Sequence, residues 1–130
     1  MLSGRVVVAL EEPETLDLVK VNLEQAGYEA LAATDGIAAY EAVERGNPVA
    51  VILDLSLPSL SGFRLVKLLK RDPRWRDVPL IVTSAYPFEE VEDITHEGID
   101  GFVARPFSPH ELVNRLEYAL SRQRQLAVAV

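Results

Sequence analysis

Short apolar runs alternate along this chain with longer stretches in which apolar residues return every three or four positions. The first pattern predicts strands, the second amphipathic helices. Arg5–Leu10 is β-branched and predicts a first strand, broken by Glu11-Glu12-Pro13. Pro13 suits a first helical turn, and Glu12 and Glu14 suit the positive end of a helix. Leu16, Val19 and Leu23 give that helix its apolar stripe, and Gly27 stops it. Tyr28–Ala33 is half apolar and predicts an outer strand. Asp35-Gly36 opens a second helix, with Ile37, Tyr40 and Val43 predicted to face inward, ending at Gly46-Asn47-Pro48.

Val49–Asp54 is apolar without a break until its final carboxylate. Such a run predicts a strand buried on both faces, and so a parallel sheet with helices on each side. A proline-broken loop through Pro58 and Gly62 follows. The third helix is predicted from Ser61 to Arg71 on Phe63, Leu65, Val66 and Leu69, and Asp72-Pro73 ends it. Trp75, in the next loop, is expected to pack over a helix end. Pro79 introduces a fourth strand, Leu80–Ser84. Pro87–Glu97 predicts a fourth helix on a thin stripe of Phe88, Val91 and Ile94, and a helix anchored so thinly is expected to be mobile. Gly98 ends it, and Gly101–Ala104 is a fifth strand. In Ser108-Pro109-His110-Glu111, serine takes the N-cap, proline the first turn and glutamate the reciprocal capping position. Leu112, Val113, Leu116, Ala119 and Leu120 are the buried face of the last helix, and Arg122 and Arg124 suit its C-terminal end. The apolar tail Leu126–Val130 either prolongs this helix or frays.

Five βα units in strict alternation predict right-handed crossovers and an α/β fold: a doubly wound parallel sheet covered on both faces. The expected organisation is one domain over residues 1–130, with a core of about 5–124 and a tail of 125–130. In open α/β sheets, ligands bind at the carboxyl ends of the strands. That edge collects Glu11 and Glu12, then Asp54, then Thr83 or Ser84, then Arg105. Carboxylates, a hydroxyl and a fixed cation in one cleft suit covalent phosphorylation of a carboxylate. Asp54 is the candidate nucleophile. A carboxylate-bound Mg²⁺ neutralises incoming phosphoryl oxygens, and the hydroxyl and cation hold the others.

Composition narrows the partners. The chain carries 20 acidic and 13 basic residues, a net charge of −7. A nucleic-acid surface needs a basic stripe, and an anionic membrane repels an acidic protein, so neither partner is expected. There is no cysteine, which excludes disulfides, thiolate catalysis and cysteine-ligated zinc. His96 and His110 show no metal-ligand spacing and are read as surface or cap residues. The run Val6–Leu10 is far too short for a signal peptide or a membrane span, and a cytoplasmic location is expected. The turn after the first strand has no glycine, so neither a dinucleotide fingerprint nor a P-loop is present.

From Arg5 to about Arg124 the chain resembles the receiver domains of two-component response regulators, the CheY-like family. The resemblance rests on Val51-Ile52-Leu53-Asp54 with Pro58 and Gly62, on Pro79 through Ser84-Ala85, and on Gly98-Ile99-Asp100-Gly101-Phe102 with Pro106-Phe107. The acid-Pro13 turn, Gly27-Tyr28 and Asp35-Gly36 agree with it. It implies strand order 2-1-3-4-5. Asp54 matches the phosphoacceptor, Ser84 the hydroxyl that follows the phosphoryl group, and Phe102 the aromatic switch. Thr83 then falls one place too early and points into the core. Pro106 matches a proline usually preceded by a cis bond. The backbone carbonyl of Ser56 matches a metal ligand, alongside Asp54 and Glu11. Implied partners are a histidine kinase or phosphotransfer protein, a downstream protein target, and a second copy of the chain on the face formed by the fourth helix, fifth strand and fifth helix. No catalysis is implied beyond self-catalysed phosphorylation and dephosphorylation.

Two departures stand at the expected site. The family ends its first strand on two adjacent acids, and here those places hold Leu10 and Glu11. Leu10 cannot hold metal-bound water, and Glu11 has an extra methylene in a site where Mg²⁺ demands near-ideal octahedral geometry. Weak Mg²⁺ binding is therefore expected, and Glu12 is open to two readings, a substitute ligand or a helix-start residue. The family's lysine on the strand-five loop is Arg105, a planar fork in place of a compact ammonium. Arg105 could pair with Asp54 directly and hold one conformation without phosphate. Two functions follow: a phosphorylatable receiver, and a pseudo-receiver serving as a constitutive interaction or dimerisation module. A hydrolase on the same fold is a distant third.

Overall fold

The computed structural model describes residues 4–86 and 88–129, with the side chains of 88–90 and 127–129 left aside. The elements follow in order: β1 (Arg5–Ala9), α1 (Pro13–Gln25), β2 (Glu29–Ala33), α2 (Gly36–Gly46), β3 (Ala50–Asp54), α3 (Gly62–Lys70), β4 (Leu80–Ser84), α4 (Phe88–Thr95), β5 (Gly101–Ala104) and α5 (Pro109–Ala129). All pairings are parallel, in the order β2-β1-β3-β4-β5. The predicted fold is therefore the observed one.

Alternation along the strands splits the core in two. Val6, Val8, Ala50, Ile52, Ile81 and Val103 join the apolar stripes of α1 and α5 on one face. Val7, Ala9, Val51, Leu53 and Val82 join α2, α3 and α4 on the other. β3 and β4 are buried over their whole lengths, including the polar residues Asp54, Thr83 and Ser84 at their carboxyl ends. Each fully buried Leu, Ile or Val contributes on the order of 1.5–3 kcal/mol. That burial fixes the register and, with it, which polar residues reach the carboxyl edge.

One expected core residue lies outside. Ile37 is 52% exposed. The line that α2 turns to the sheet is Gly36, Ala39, Val43 and Gly46, small residues at helical spacing. A Cβ on Gly36 would stand 1.6 Å from the Leu60 carbonyl oxygen, so α2 packs too closely there for any larger side chain. Ile37, one residue on, rotates into solvent, and Tyr40 is half-buried.

Among other local expectations, Arg122 and Arg124 do not mark the end of α5, because the helix runs on to Ala129. The capping box of α5 forms reciprocally, Glu111 N–H donating to Ser108 Oγ and Ser108 N–H to Glu111 Oε1, both at 3.3 Å. The apolar tail prolongs α5 to Ala129. Trp75 lies buried in the α2–α3–α4 cluster just past the end of α3. α4 is anchored by Val91 and Ile94, both buried, and Glu97 just beyond it is held by Arg71 at 2.6 Å. The Phe88 side chain and Pro87, expected in this helix, lie outside the described residues. His96 and His110 are exposed. Among the described residues, no helix is long and apolar enough to cross a membrane.

Candidate functional site

β3 delivers Asp54 to the carboxyl edge, and its residue is completely buried. A buried carboxylate is costly unless it is paired and hydrogen-bonded. Asp54 is both. Its Oδ1 accepts from Ser56 N–H at 3.1 Å and from Ser56 Oγ–H at 2.9 Å. Its Oδ2 is ion-paired with the Arg105 guanidinium, which reaches across from the loop after β5. Backbone pairing ties the same corner together: Leu55 N–H donates to Thr83 O, and Arg105 N–H donates to Ser84 O, both at 3.1 Å. The Arg105–Pro106 bond is cis.

Ser84 ends β4, 1% exposed, and its Oγ accepts from Tyr86 N–H at 2.9 Å. Thr83 pairs with Asp54 across the sheet, is fully buried, and leaves its hydroxyl without a hydrogen-bond partner. Phe102 is half-buried against the α2–α3–α4 cluster. Tyr86 is 43% exposed, with its ring centroid 6.0 Å from that of Phe63. Beside the site, Glu12, Thr15, Ala85, Arg105, Pro106 and Phe107 line a cleft of about 350 Å³.

Gly62 and Pro58 shape the loop after Asp54. A Cβ on Gly62 would stand 2.2 Å from the Asp54 carbonyl oxygen, and Gly62 N–H donates to Leu55 O at 3.1 Å. Pro58 O accepts from Gly36 N–H at 3.0 Å and from Leu60 N–H at 2.9 Å. Asp35, the N-cap of α2, accepts from Ala38 N–H at 2.8 Å and from Ser59 Oγ–H at 3.1 Å. Those two hydrogen bonds hold its carboxyl below the usual carboxylate range, because they favour the charged form. The sequence reading missed the Ser56 side chain and Ser59. A serine two residues after an aspartate is an Asx-turn signal that could have disclosed the first. No local pattern discloses the second.

The β1 end of the edge is different. Leu10 is completely buried in the α1–α5 cluster. Glu11 and Glu12 are exposed, and Glu12 Oε1 accepts from Thr15 Oγ–H at 2.9 Å.

A family model for the response regulator receiver domain matches residues 6–117. The chain belongs to that family. It is 35% identical over 123 residues to the phosphate regulon transcriptional regulatory protein PhoB of Pseudomonas aeruginosa, covering 94% of this chain and 54% of the relative. It is 31% identical over 128 residues to the DNA-binding dual master transcriptional regulator RpaA of Synechocystis sp., covering 96% of this chain and 52% of the relative. The chain thus spans about half the length of these curated relatives. The receiver domain of the Francisella response regulator 1452 superposes with a TM-score of 0.83 at 26% identity, covering 92% of this chain and 98% of that one. The chemotaxis response regulator CheY4 of Vibrio cholerae shares the fold, with a TM-score of 0.82 at 22% identity over 92% and 99% of the two chains. As a response regulator receiver domain, the chain is of the type that works in two-component systems with histidine kinases or phosphotransfer proteins.

Receiver domains generally bind Mg²⁺ at an acidic pocket. The donors that the family resemblance implies are Asp54, Glu11 and the Ser56 carbonyl, with Glu12 next in sequence; Asp54 is completely buried, and Glu11 and Glu12 are exposed. Two carboxylates and a carbonyl, completed by water, are a set Mg²⁺ accepts. Leu10, buried in the α1–α5 cluster, brings no donor to this edge. Among the described residues, no group of three or more carboxylate, imidazole or thiol side chains comes together to hold a metal.

Proposed function

We propose that this receiver accepts a phosphoryl group on Asp54 from a histidine kinase or phosphotransfer protein. The observation that carries the reading is the meeting of a carboxylate, a hydroxyl and a fixed cation at one edge: Asp54 ends β3, Ser84 ends β4, and Arg105 reaches over from the loop after β5. A carboxylate oxygen of Asp54 attacks phosphorus. The bond from phosphorus to the donor's nitrogen or oxygen breaks, the donor leaves with that electron pair, and an acyl phosphate remains. Incoming phosphoryl oxygens compete with Asp54 Oδ2 for the Arg105 fork, which frees that oxygen to attack. A bidentate guanidinium is well shaped for two phosphoryl oxygens. Ser84 turns from Tyr86 N–H to a third, and Phe102 follows Ser84 inward. The face of α4, β5 and α5 then presents an altered surface to a downstream protein or a second copy of the chain.

Asp54, Glu11 and the Ser56 carbonyl would hold Mg²⁺ weakly, while Glu12 stays with the first turn of α1, where Thr15 Oγ–H donates to it. The ion supplies charge neutralisation for the transferring phosphoryl group. Binding, orientation and water exclusion fall to Asp54, Ser56, Ser84 and Arg105.

A second reading, a phosphorylation-independent interaction or dimerisation module, draws on one specific observation. Every oxygen of Asp54 already has a protein partner, and the fixed charge of Arg105 already balances it. Incubation with acetyl phosphate or beryllofluoride and millimolar Mg²⁺ separates the two. A mass gain or spectral change that vanishes in Asp54→Asn supports the phosphoacceptor. No modification at any Mg²⁺ concentration leaves the interaction module.

A further inference from the structure

The loop that follows the phosphoacceptor is tied to a neighbouring helix by a side chain in a costly conformation. Ser59 has φ +66°, a left-handed conformation that glycine or asparagine adopts more easily. What serine adds is its hydroxyl. Ser59 Oγ accepts from Ile37 N–H at 3.2 Å and donates to Asp35 Oδ1 at 3.1 Å. Beside it, Gly36 N–H donates to Pro58 O at 3.0 Å, and α2 approaches so closely that position 36 admits no Cβ. Three bonds in consecutive register thus clip the β3–α3 loop to the first turn of α2.

Ser56 lies three residues before Ser59, separated only by Leu57, which is buried, and Pro58. Both donors to Asp54 Oδ1 come from Ser56. Those donors touch the carboxylate they orient, so alone they could drift with it. The clip on α2 supplies an external reference, because α2 is held by the sheet through Ala39 and Val43. We infer that Ser59 and Asp35 are positioning residues for Asp54, acting through Ser56. The inference rests on the phosphoacceptor reading and deepens it.

A positioning role and a merely structural one part company at Ser59→Gly. Glycine relieves the left-handed backbone but adds freedom to the unfolded chain, so the melting temperature should stay within about 3 °C of the parent. The initial rate of acetyl phosphate-dependent mass gain should nevertheless fall roughly tenfold, since small misplacements at a reacting centre are expensive. Ser59→Asn tolerates the same backbone and brings a donor and an acceptor, so it should restore much of the rate. Asp35→Ala should show the same loss, and the double variant no further loss. An unchanged rate in folded Ser59→Gly overturns the inference, as does a rate that tracks melting temperature across the series. If the parent itself takes no phosphoryl group, the phosphoacceptor reading fails separately. Amide exchange at Ser56 then becomes the readout. Roughly tenfold faster exchange in Ser59→Gly upholds the positioning role, and unchanged exchange overturns it.

Discussion

The two sides of the carboxyl edge are built on opposite terms. On the β3–β5 side a buried carboxylate meets a guanidinium, two serine donors hold one of its oxygens, and a second buried hydroxyl stands at the end of the next strand. On the β1 side, the position that belongs to an acid in the family is a leucine sunk in the α1–α5 core, and the two glutamates that follow face solvent. The difference is one of charge balance. Adjacent carboxylates in a buried pocket repel and need a cation to coexist. With Leu10 in place of one of them, the fixed charge of Arg105 suffices for Asp54. On the proposed function, the half of the site that carries Asp54 is complete, and the half proposed to hold a metal ion is reduced.

Restoring the lost acid is the strongest way to break this contrast. Leu10→Asp removes a fully buried side chain and adds an unpaired carboxylate, and should cost about 3 kcal/mol in metal-free buffer. Mg²⁺ should then recover part of that loss and bind at least about tenfold more tightly than to the parent. Calorimetric titration with Mg²⁺ and thermal unfolding with and without the ion measure both. A variant as stable as the parent and blind to Mg²⁺ would mean that this turn does not address Asp54.

Arg105→Ala tests the other side. It strands the Asp54 carboxylate inside the protein, and should destabilise by about 2 kcal/mol, less than a fully buried pair would because the Arg105 side chain is 27% exposed. Arg105→Lys keeps the charge and should recover more than half of that. Denaturant unfolding reads both values. Equal stability of the alanine variant and the parent would show that Ser56 alone satisfies Asp54.

The parallel sheet covered on both faces was legible, because the apolar run Val49–Asp54 and the short strands around it alternate with helical stripes, whereas the strand order came from the family resemblance. Asp54 and Arg105 could be brought to one edge from strand ends alone, the roles of Ser84 and Phe102 came from the family resemblance, and the direct pairing of Asp54 with Arg105 could be anticipated from charge. What escaped has a common cause. Ile37 was expected inward because bulk was taken as the mark of a buried stripe, whereas α2 buries small residues to approach Leu60. The Ser59 tie escaped because it joins residues far apart in sequence and rests on a positive φ that serine does not advertise. The burial of Leu10 was implicit in its alternation with Val6 and Val8, but the hydrogen bond from Thr15 to Glu12 was not.

Thr83 sharpens the contrast from inside the retained half. It stands opposite Asp54 in the sheet, yet its hydroxyl has no partner and no place in the proposed chemistry. An unpaired buried hydroxyl carries its desolvation cost without return. Thr83→Val keeps the branched shape and should therefore stabilise by about 1 kcal/mol, seen as a higher melting temperature, with the modification rate unchanged. A fall in that rate at undiminished stability would place Thr83 among the groups that serve Asp54.

The smallest effect is expected at Glu12, and its smallness is the point. Its carboxylate is exposed and engaged by the Thr15 hydroxyl in the first turn of α1, which is helix-start chemistry rather than metal ligation. Glu12→Gln keeps an oxygen acceptor for that hydroxyl and removes only the charge. Stability should change by less than about 0.5 kcal/mol, as is usual for an exposed position. Mg²⁺ affinity should stay within about twofold, since an exposed charge outside the coordination shell acts only through a screened field. A fall of about tenfold would make Glu12 a ligand. The β1 turn would then hold two working carboxylates, and the imbalance between the two sides would reduce to the geometry of Glu11.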